Sequence, residues 1–212
     1  MFHQVEKMGI QDYIALGKIQ MPDLRDSYKT ALVPVGIALN FVGSTLTRTF
    51  QIPLFLDQGG IMLVSMTCGP FWGVITAILN TVVNVLTRGP LSWFFIFTPI
   101  TTALIWGFGT KYGMTRRWPT YIILCITLAL GLSFVTAPIV VYVYGGLGGT
   151  GVDLIFTAMW TAWGDMLGAR FWSEFISSMI DKGILSILVL SILRAMPSKE
   201  FQRVTPWFKE QQ

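Results

Sequence analysis

Residues 69–90 read GPFWGVITAILNTVVNVLTRGP, and this stretch decides the fold because it has the length and composition of a membrane-spanning helix. Three polar side chains interrupt it, since Asn80, Asn84 and Arg88 follow one another at intervals of four residues. On an α-helix they spread over only about 80° of arc and so form one polar stripe. A charge exposed to hydrocarbon costs at least about 2.5 kcal/mol. The stripe is therefore predicted to face the interior of a helix bundle or a wet cavity.

Similar apolar stretches recur along the chain and predict an all-α integral membrane protein with six transmembrane helices. Of the 212 residues, 53% are hydrophobic and only 12% are charged, whereas a soluble domain carries about 25% charged residues. The spans are predicted at residues 30–50, 53–68, 70–87, 91–109, 119–143 and 172–195. The second is short and is interrupted by Asp57, Gly59 and Gly60. Residues 153–170 are predicted to form an outer interfacial or re-entrant helical segment.

The distribution of basic residues predicts a cell-membrane protein with both termini in the cytoplasm. Eleven of the 15 Lys and Arg residues then lie on the inner side, namely Lys7, Lys18, Arg25, Lys29, Lys111, Arg116, Arg117, Arg194, Lys199, Arg203 and Lys209. The other four, in spans or outside, are Arg48, Arg88, Arg170 and Lys182. A cytoplasmic N-terminal extension (1–29), either an amphipathic surface helix or a plain extension, precedes the membrane domain (30–196) and a cytoplasmic tail (197–212).

The polar stripe of the third span has two interpretations. In one, Arg88 snorkels to the outer interface while the two amides bond neighbouring helices. In the other, the stripe lines a pocket in which Arg88 offers its guanidinium fork to an anionic group. The predicted substrate-binding residues are Asn80, Asn84, Arg88, Trp93, Trp160, Trp163 and Glu174. Trp93 can also belong to an interfacial aromatic belt, and Asp181 with Lys182 can form an internal ion pair or contact a ligand.

The sequence lacks the residues that histidine-based catalytic sites and ATP-hydrolysing P-loops require. The single histidine, His3, lies in the N-terminal extension, and no G-x-x-x-x-G-K-[ST] motif for ATP hydrolysis is present. A formal G-x-G-x-x-G at residues 146–151 follows a membrane span rather than a strand, and it is predicted to be a flexible outer loop. No catalytic residue and no metal site are predicted, and the net charge of +4 requires no nucleic acid to explain it.

Four stretches, in their order and spacing, resemble the substrate-binding S component of energy-coupling factor (ECF) vitamin transporters. They are ALNFVGSTL (38–46), IPLFLDQGGIMLVSMTCGPFWGVITAILNTVVN (52–84), VYGGLGGTGVDLI (143–155) and DKGILSILVLSILRAMP (181–197). The resemblance implies a six-helix protein in membrane lipid that binds a vitamin from outside. It also implies docking on an ECF module of one transmembrane coupling subunit and two ATPase subunits, so that only partner subunits use ATP and no cofactor is expected here.

The resemblance also implies pocket positions, namely Arg88, Trp93, Trp160, Trp163 and Glu174, to which the stripe adds Asn84. An Ala-x-x-x-Ala pattern, frequent in the first span of S components, is absent here, so the docking face is not assigned. Arg88 favours a carboxylate-bearing ligand and makes pantothenate the first choice, with cobalamin or another vitamin as alternatives. A stand-alone membrane sensor or scaffold is a competing function, and a membrane enzyme is disfavoured because the acidic residues are too scattered to build a two-metal site.

Overall fold

The computed structural model describes residues 26–116 and 118–195. Outside the described residues lie positions 1–25 of the predicted N-terminal extension (1–29), residue 196 and the predicted tail (197–212). The described part is helical and contains no strand. Its seven α-helices are α1 (Asp26–Thr49), α2 (Gly59–Cys68), α3 (Pro70–Arg88), α4 (Phe97–Lys111), α5 (Trp118–Tyr144), α6 (Val152–Trp163) and α7 (Met166–Ala195). Two short 3₁₀ helices, Pro90–Ile96 and Met114–Arg116, precede α4 and α5.

Within the described part of the chain, five helical segments are long and apolar enough to cross a membrane. They are Ser27–Thr49, Pro70–Arg88, Pro90–Lys111, Trp118–Tyr144 and Met166–Leu193. Their lengths of 19 to 28 residues suit a hydrocarbon core about 30 Å thick, because an α-helix rises about 1.5 Å per residue. The prediction of an all-α protein built from long apolar helices is confirmed, and these helices indicate a membrane-embedded chain.

A sixth crossing, predicted for residues 53–68, is not confirmed. Only the ten residues of α2 are helical there, and they span about 15 Å, or half the hydrocarbon core. All of them except Cys68 are buried, so α2 packs against other helices. Residues 50–58 form a loop in which Gln51 (φ 50°) and Leu56 (φ 46°) adopt the left-handed backbone conformation. The polar and glycine residues that interrupt the predicted span mark the point where this loop becomes a helix.

The last helix begins at Met166, six residues before its predicted start. Gly164, with a φ of 73°, ends α6. The Asp165 carboxylate then accepts hydrogen bonds from two backbone N–H groups in the first turn of α7, at 3.1 and 3.0 Å, which is the role of a helix N-cap. The predicted interfacial segment 153–170 is therefore divided between α6 and the start of α7.

The short helix α2 lies at the centre of the core. Its side chains Met62 and Met66 belong to an apolar cluster that also contains Trp106 of α4, Leu128 of α5 and Leu190 of α7. All five side chains are fully buried. The long helices therefore pack around α2.

Helices α1 and α2 approach each other backbone to backbone. A Cβ atom added at Gly60 would lie 1.9 Å from the carbonyl oxygen of Gly36. Helix α1 approaches the loop 50–58 in the same way, since a Cβ atom added at Gly43 would lie 2.0 Å from the carbonyl oxygen of Leu56. Close approach at small residues is a common way for apolar helices to pack in membranes. Gly36 of α1 is thus packed against Gly60 of α2.

The substitution Gly60→Ala is expected to destabilise the protein by about 3 kcal/mol, because the added methyl group meets backbone that cannot move aside. Gly183→Ala is the matched control, since a Cβ atom at that helical glycine meets no atom within 4 Å. The measurement is the thermal unfolding midpoint of the detergent-solubilised variants. Equal midpoints for Gly60→Ala and the wild type would contradict the close contact between α1 and α2.

Candidate functional site

A cavity of about 180 Å³ opens at one end of the bundle. It is lined by the end of α1, the second halves of α3 and α5, the first half of α7 and the segments 55–58, 92–99 and 148–150. We call this end of the bundle the cavity end. A water occupies about 30 Å³ in the liquid, so the cavity has room for roughly six waters or one small organic molecule.

Four of the predicted binding residues line this cavity, namely Asn80, Asn84, Arg88 and Glu174. The polar stripe of α3 therefore faces the bundle interior, as its spacing predicts. Arg88 is half-buried and its guanidinium donates a hydrogen bond to the hydroxyl of Ser44 on α1. Glu174 is buried in the first half of α7. Contact of these side chains with a ligand remains a prediction.

The three predicted tryptophans lie outside the cavity lining. Trp93, Trp160 and Trp163 are 50%, 40% and 55% exposed. Trp93 belongs to a 3₁₀ helix, in which side chains three apart share a face, and its neighbours Ser92 and Phe95 take the lining positions instead. The sequence pattern places aromatic residues at this level of the bundle but does not indicate which of them point inward.

On α6 the buried side chains are Val152 and Phe156. Trp160 stacks on Phe156 at a centroid distance of 5.7 Å and an interplanar angle of 13°. The buried face of the helix is thus formed by residues four apart. The two tryptophans come later in the helix and are exposed. Both tryptophans are expected in the pocket from the sequence, whereas the structure places a phenylalanine between Trp160 and the interior.

A buried ion cluster centred on Arg170 forms part of the cavity wall. Its guanidinium donates to Asp153 at 2.7 Å and to Glu174 at 2.6 Å, and it lies 5.5 Å from the ring centroid of Phe156. Arg170 is only 1% exposed. A buried charge requires such pairing, because removal from water costs several kcal/mol per ion. The sequence pattern predicts no role for Arg170 or Asp153, which lie 17 residues apart.

The glycine loop at residues 145–151 is held by the same cluster. The Asp153 carboxylate accepts hydrogen bonds from the backbone N–H groups of Gly148 at 3.1 Å, Gly149 at 2.7 Å and Thr150 at 3.2 Å. At its end this loop touches the loop 50–58, since a Cβ atom at Gly151 would lie 2.4 Å from a backbone oxygen of that loop. The two loops therefore meet at the cavity end and narrow the opening.

Asp181 and Lys182 form an ion pair in the middle of α7. The Lys182 ammonium donates to Asp181 at 2.5 Å, and the second carboxylate oxygen of Asp181 accepts the backbone N–H of Leu56 at 2.8 Å. Both side chains are buried. The internal ion pair is thus present, while Lys182 also lines the cavity, so that a ligand contact by Lys182 stays a prediction.

Asp57 also lines the cavity. One of its carboxylate oxygens is buried and has no hydrogen-bond partner among the residues that the structure describes. Burial raises the pKa of the Asp57 carboxyl above its ordinary value; the positive charge of Lys182 opposes this rise and the negative charge of Asp181 adds to it. Asp57 is therefore protonated more readily than an ordinary aspartate.

A layer of amide groups lies between the cavity and α2. The Asn40 side chain accepts the backbone N–H of Gly60 at 2.7 Å and donates to Asn80 at 3.3 Å. Gln58 accepts a hydrogen bond from the Thr102 hydroxyl at 2.5 Å. Asn80 and Gln58 line the cavity, so this layer supplies polar groups to its wall while it also supports the first turn of α2.

The substitution Asp153→Asn is expected to loosen the glycine loop, because it removes the ion pair with Arg170 and weakens the acceptor for three backbone N–H groups. Charge-assisted hydrogen bonds contribute about 1.5–3 kcal/mol, so amide hydrogen exchange at residues 148–150 should accelerate at least about tenfold. Asp165→Asn is the control, since Asp165 caps α7 without bonding to the loop. Unchanged exchange in Asp153→Asn would show that the loop is held by other contacts.

In residues 26–116 and 118–195, no three His, Cys, Asp or Glu side chains are grouped in a way that could hold a metal ion. In comparisons with known proteins, no family model, no curated protein and no solved structure matches the chain. The function is therefore inferred from the chemistry of the cavity and from the sequence.

Proposed function

We propose that this chain is the substrate-binding membrane subunit, or S component, of an ECF-type importer for a vitamin or related micronutrient, with pantothenate as the first choice. The observation that carries the proposal is the cavity at one end of the long apolar helices, into which Asn80, Asn84, Arg88 and Glu174 turn their side chains. A concave site with apolar walls and a few convergent polar groups is typical of small-molecule binding.

The size of the cavity supports a small ligand. At about 180 Å³ it suits a short chain molecule such as pantothenate, whereas the corrin ring system of cobalamin is far larger. Its lining combines amides, hydroxyl groups and charged groups with apolar side chains such as Phe55, Leu132 and Val140. This mixture suits a molecule that carries a carboxylate, an amide and hydroxyl groups along a short aliphatic chain.

In the proposed orientation the cavity opens to the outside of the cell and both chain termini are cytoplasmic. The loops 50–58 and 145–151 meet at the cavity end, and Lys111 stands at the other end of its helix from the lining residue Thr98. In this orientation the eleven Lys and Arg residues that the sequence pattern assigns to the inner side would lie away from the cavity, as the positive-inside rule expects. A site open to the outside is what a subunit that captures nutrients requires.

The proposed partners are the coupling subunit and the two ATPases of an ECF module, which would supply the energy for import, since this sequence has no P-loop of its own. The competing function, a stand-alone membrane sensor or scaffold, would use the same cavity without that module. A membrane enzyme would in addition change the bound molecule chemically. Mass spectrometry of the small molecule that co-purifies with the chain separates the enzyme from the two binding functions and identifies the ligand.

Arg88→Ala is expected to weaken pantothenate binding at least about tenfold, because a charge-assisted hydrogen bond contributes about 1.5–3 kcal/mol. Trp163→Ala is the control and is expected to bind as the wild type does, since Trp163 lies outside the cavity lining. Titration calorimetry on the purified variants gives the affinities. An unchanged affinity in a folded Arg88→Ala variant would remove Arg88 from the site.

Reconstitution tests the transport role directly. The chain is expected to co-purify with the ECF module when the two are co-expressed, and proteoliposomes with both should accumulate labelled pantothenate only when ATP is supplied. Proteoliposomes with the chain alone should show no uptake driven by ATP. Binding without any association with the module would favour the sensor, and uptake by the chain alone would contradict the proposal.

A further inference from the structure

We propose that Arg48 and Arg88 form a clamp of two guanidinium groups at the open edge of the cavity, and that this clamp binds the acidic group of the ligand. The site would then select carboxylate-bearing molecules over uncharged analogues of the same shape. The inference rests on the proposed function, because it concerns the ligand of the same cavity. It adds Arg48, for which the sequence pattern predicts no role in binding, and it specifies which end of the ligand lies outermost.

The other two cations of the cavity already have charged partners. Arg170 is held between Asp153 and Glu174 at 2.7 and 2.6 Å. Lys182 is paired with Asp181 at 2.5 Å. Because each of these positive charges is balanced by a carboxylate of the protein, neither creates a local excess of positive charge that would select an anionic ligand.

Arg48 and Arg88 have no such partner. Among residues 26–116 and 118–195 no carboxylate oxygen lies within 4.0 Å of either guanidinium group. The hydrogen bond of Arg88 goes to the uncharged hydroxyl of Ser44. The two arginines come from different helices and line the same main cavity and the same side cavity, together with Asp57, which makes no ion pair with either of them. Two positive charges with one carboxylate near them leave an excess of positive charge, which favours the binding of an anion between them.

A hydroxyl group completes the clamp. The Thr150 hydroxyl oxygen is buried and has no hydrogen-bond partner among the described residues. Thr150 lines the main cavity and also a side cavity of about 20 Å³, and both arginines line these same two spaces. A buried hydroxyl without a partner costs free energy until a ligand atom satisfies it. Thr150 therefore offers a further hydrogen bond to an acid held by the two guanidinium groups.

The net charge of the clamp depends on whether the nearby Asp57 is ionised. Asp57 lines both cavities with the two arginines. With Asp57 ionised, the three groups sum to one positive charge, which a single carboxylate neutralises. With Asp57 protonated they sum to two. A singly charged acid is thus accepted in either state, and the deeper polar groups, Asn80 and Ser178 among them, remain for the uncharged end of the ligand.

The test compares pantothenate with panthenol, in which a hydroxymethyl group replaces the carboxylate. The proteins are the wild type, Arg48→Gln, Arg88→Gln and Lys182→Gln, with Lys111→Gln as the control for the loss of a charge far from the cavity. In the wild type pantothenate should bind more tightly. Each arginine substitution should lower the ratio of the two affinities about tenfold through the loss of one charge-assisted hydrogen bond, while panthenol affinity and the Lys111→Gln ratio stay unchanged.

Suppose that the preference for pantothenate over panthenol is unaffected by Arg48→Gln and Arg88→Gln but is lost in Lys182→Gln. The acid would then bind deep in the cavity, which overturns the clamp and leaves the binding function intact. If neither pantothenate nor panthenol binds, the pantothenate function fails. The clamp then stands only if millimolar butyrate, a singly charged carboxylate, raises the unfolding midpoint of the wild type but not that of the Arg48→Gln/Arg88→Gln double variant. The absence of any such shift would overturn the clamp as well.

Discussion

The hydrogen bond from the backbone of Gly60 to the side chain of Asn40 is the contact on which the rest of the structure depends. The first N–H groups of a helix have no partner within it, and a buried N–H group without a partner costs free energy. Asn40 provides that partner for the Gly60 N–H in the first turn of α2, and it also bonds Asn80 on α3. Because α2 can begin inside the bundle rather than at its end, the loop 50–58 and the cavity occupy the space between its first turn and the cavity end. A full-length helix in its place would fill that space.

The polar groups of α7 hold the two loops that border this space. Asp181 binds the backbone of Leu56, and Arg170 reaches the glycine loop through Asp153. Buried ion pairs of this kind contribute little net stability, because desolvation offsets much of their attraction. Their consequence is geometric, since each fixes a backbone segment at a defined position beside the cavity. The left-handed conformations of Gln51 and Leu56 cost free energy in a non-glycine residue, and the contacts of the loop 50–58 offset that cost.

Sequence patterns predict what depends on periodicity and length. The five long helices follow from the length of their apolar stretches, and the inward stripe of α3 follows from spacing at four residues. The half-length of α2 cannot be predicted in this way, because a buried short helix and a membrane span have the same apolar composition. The sequence pattern cannot show that the three tryptophans lie outside the cavity lining, because aromatic residues are common in both pockets and interfaces. Long-range partners are also beyond reach: Leu56 lies 125 residues from Asp181, and Asn80 lies 40 residues from Asn40, separations at which single-sequence patterns carry no information.

The cations of the cavity divide into two groups, one buried and paired and the other at the open edge. Arg170 and Lys182 are almost completely buried and are paired with carboxylates, as membrane burial demands. Arg48 and Arg88 stand at the open edge, where Arg48 is exposed and Arg88 half-buried, so that solvent lowers the cost of leaving each without an ion pair. Snorkelling alone would leave Arg88 free of the bundle, whereas its bond to Ser44 turns it along the wall of the cavity. Under the proposed clamp, this contact orders the guanidinium before an anion arrives, which reduces the ordering cost of binding.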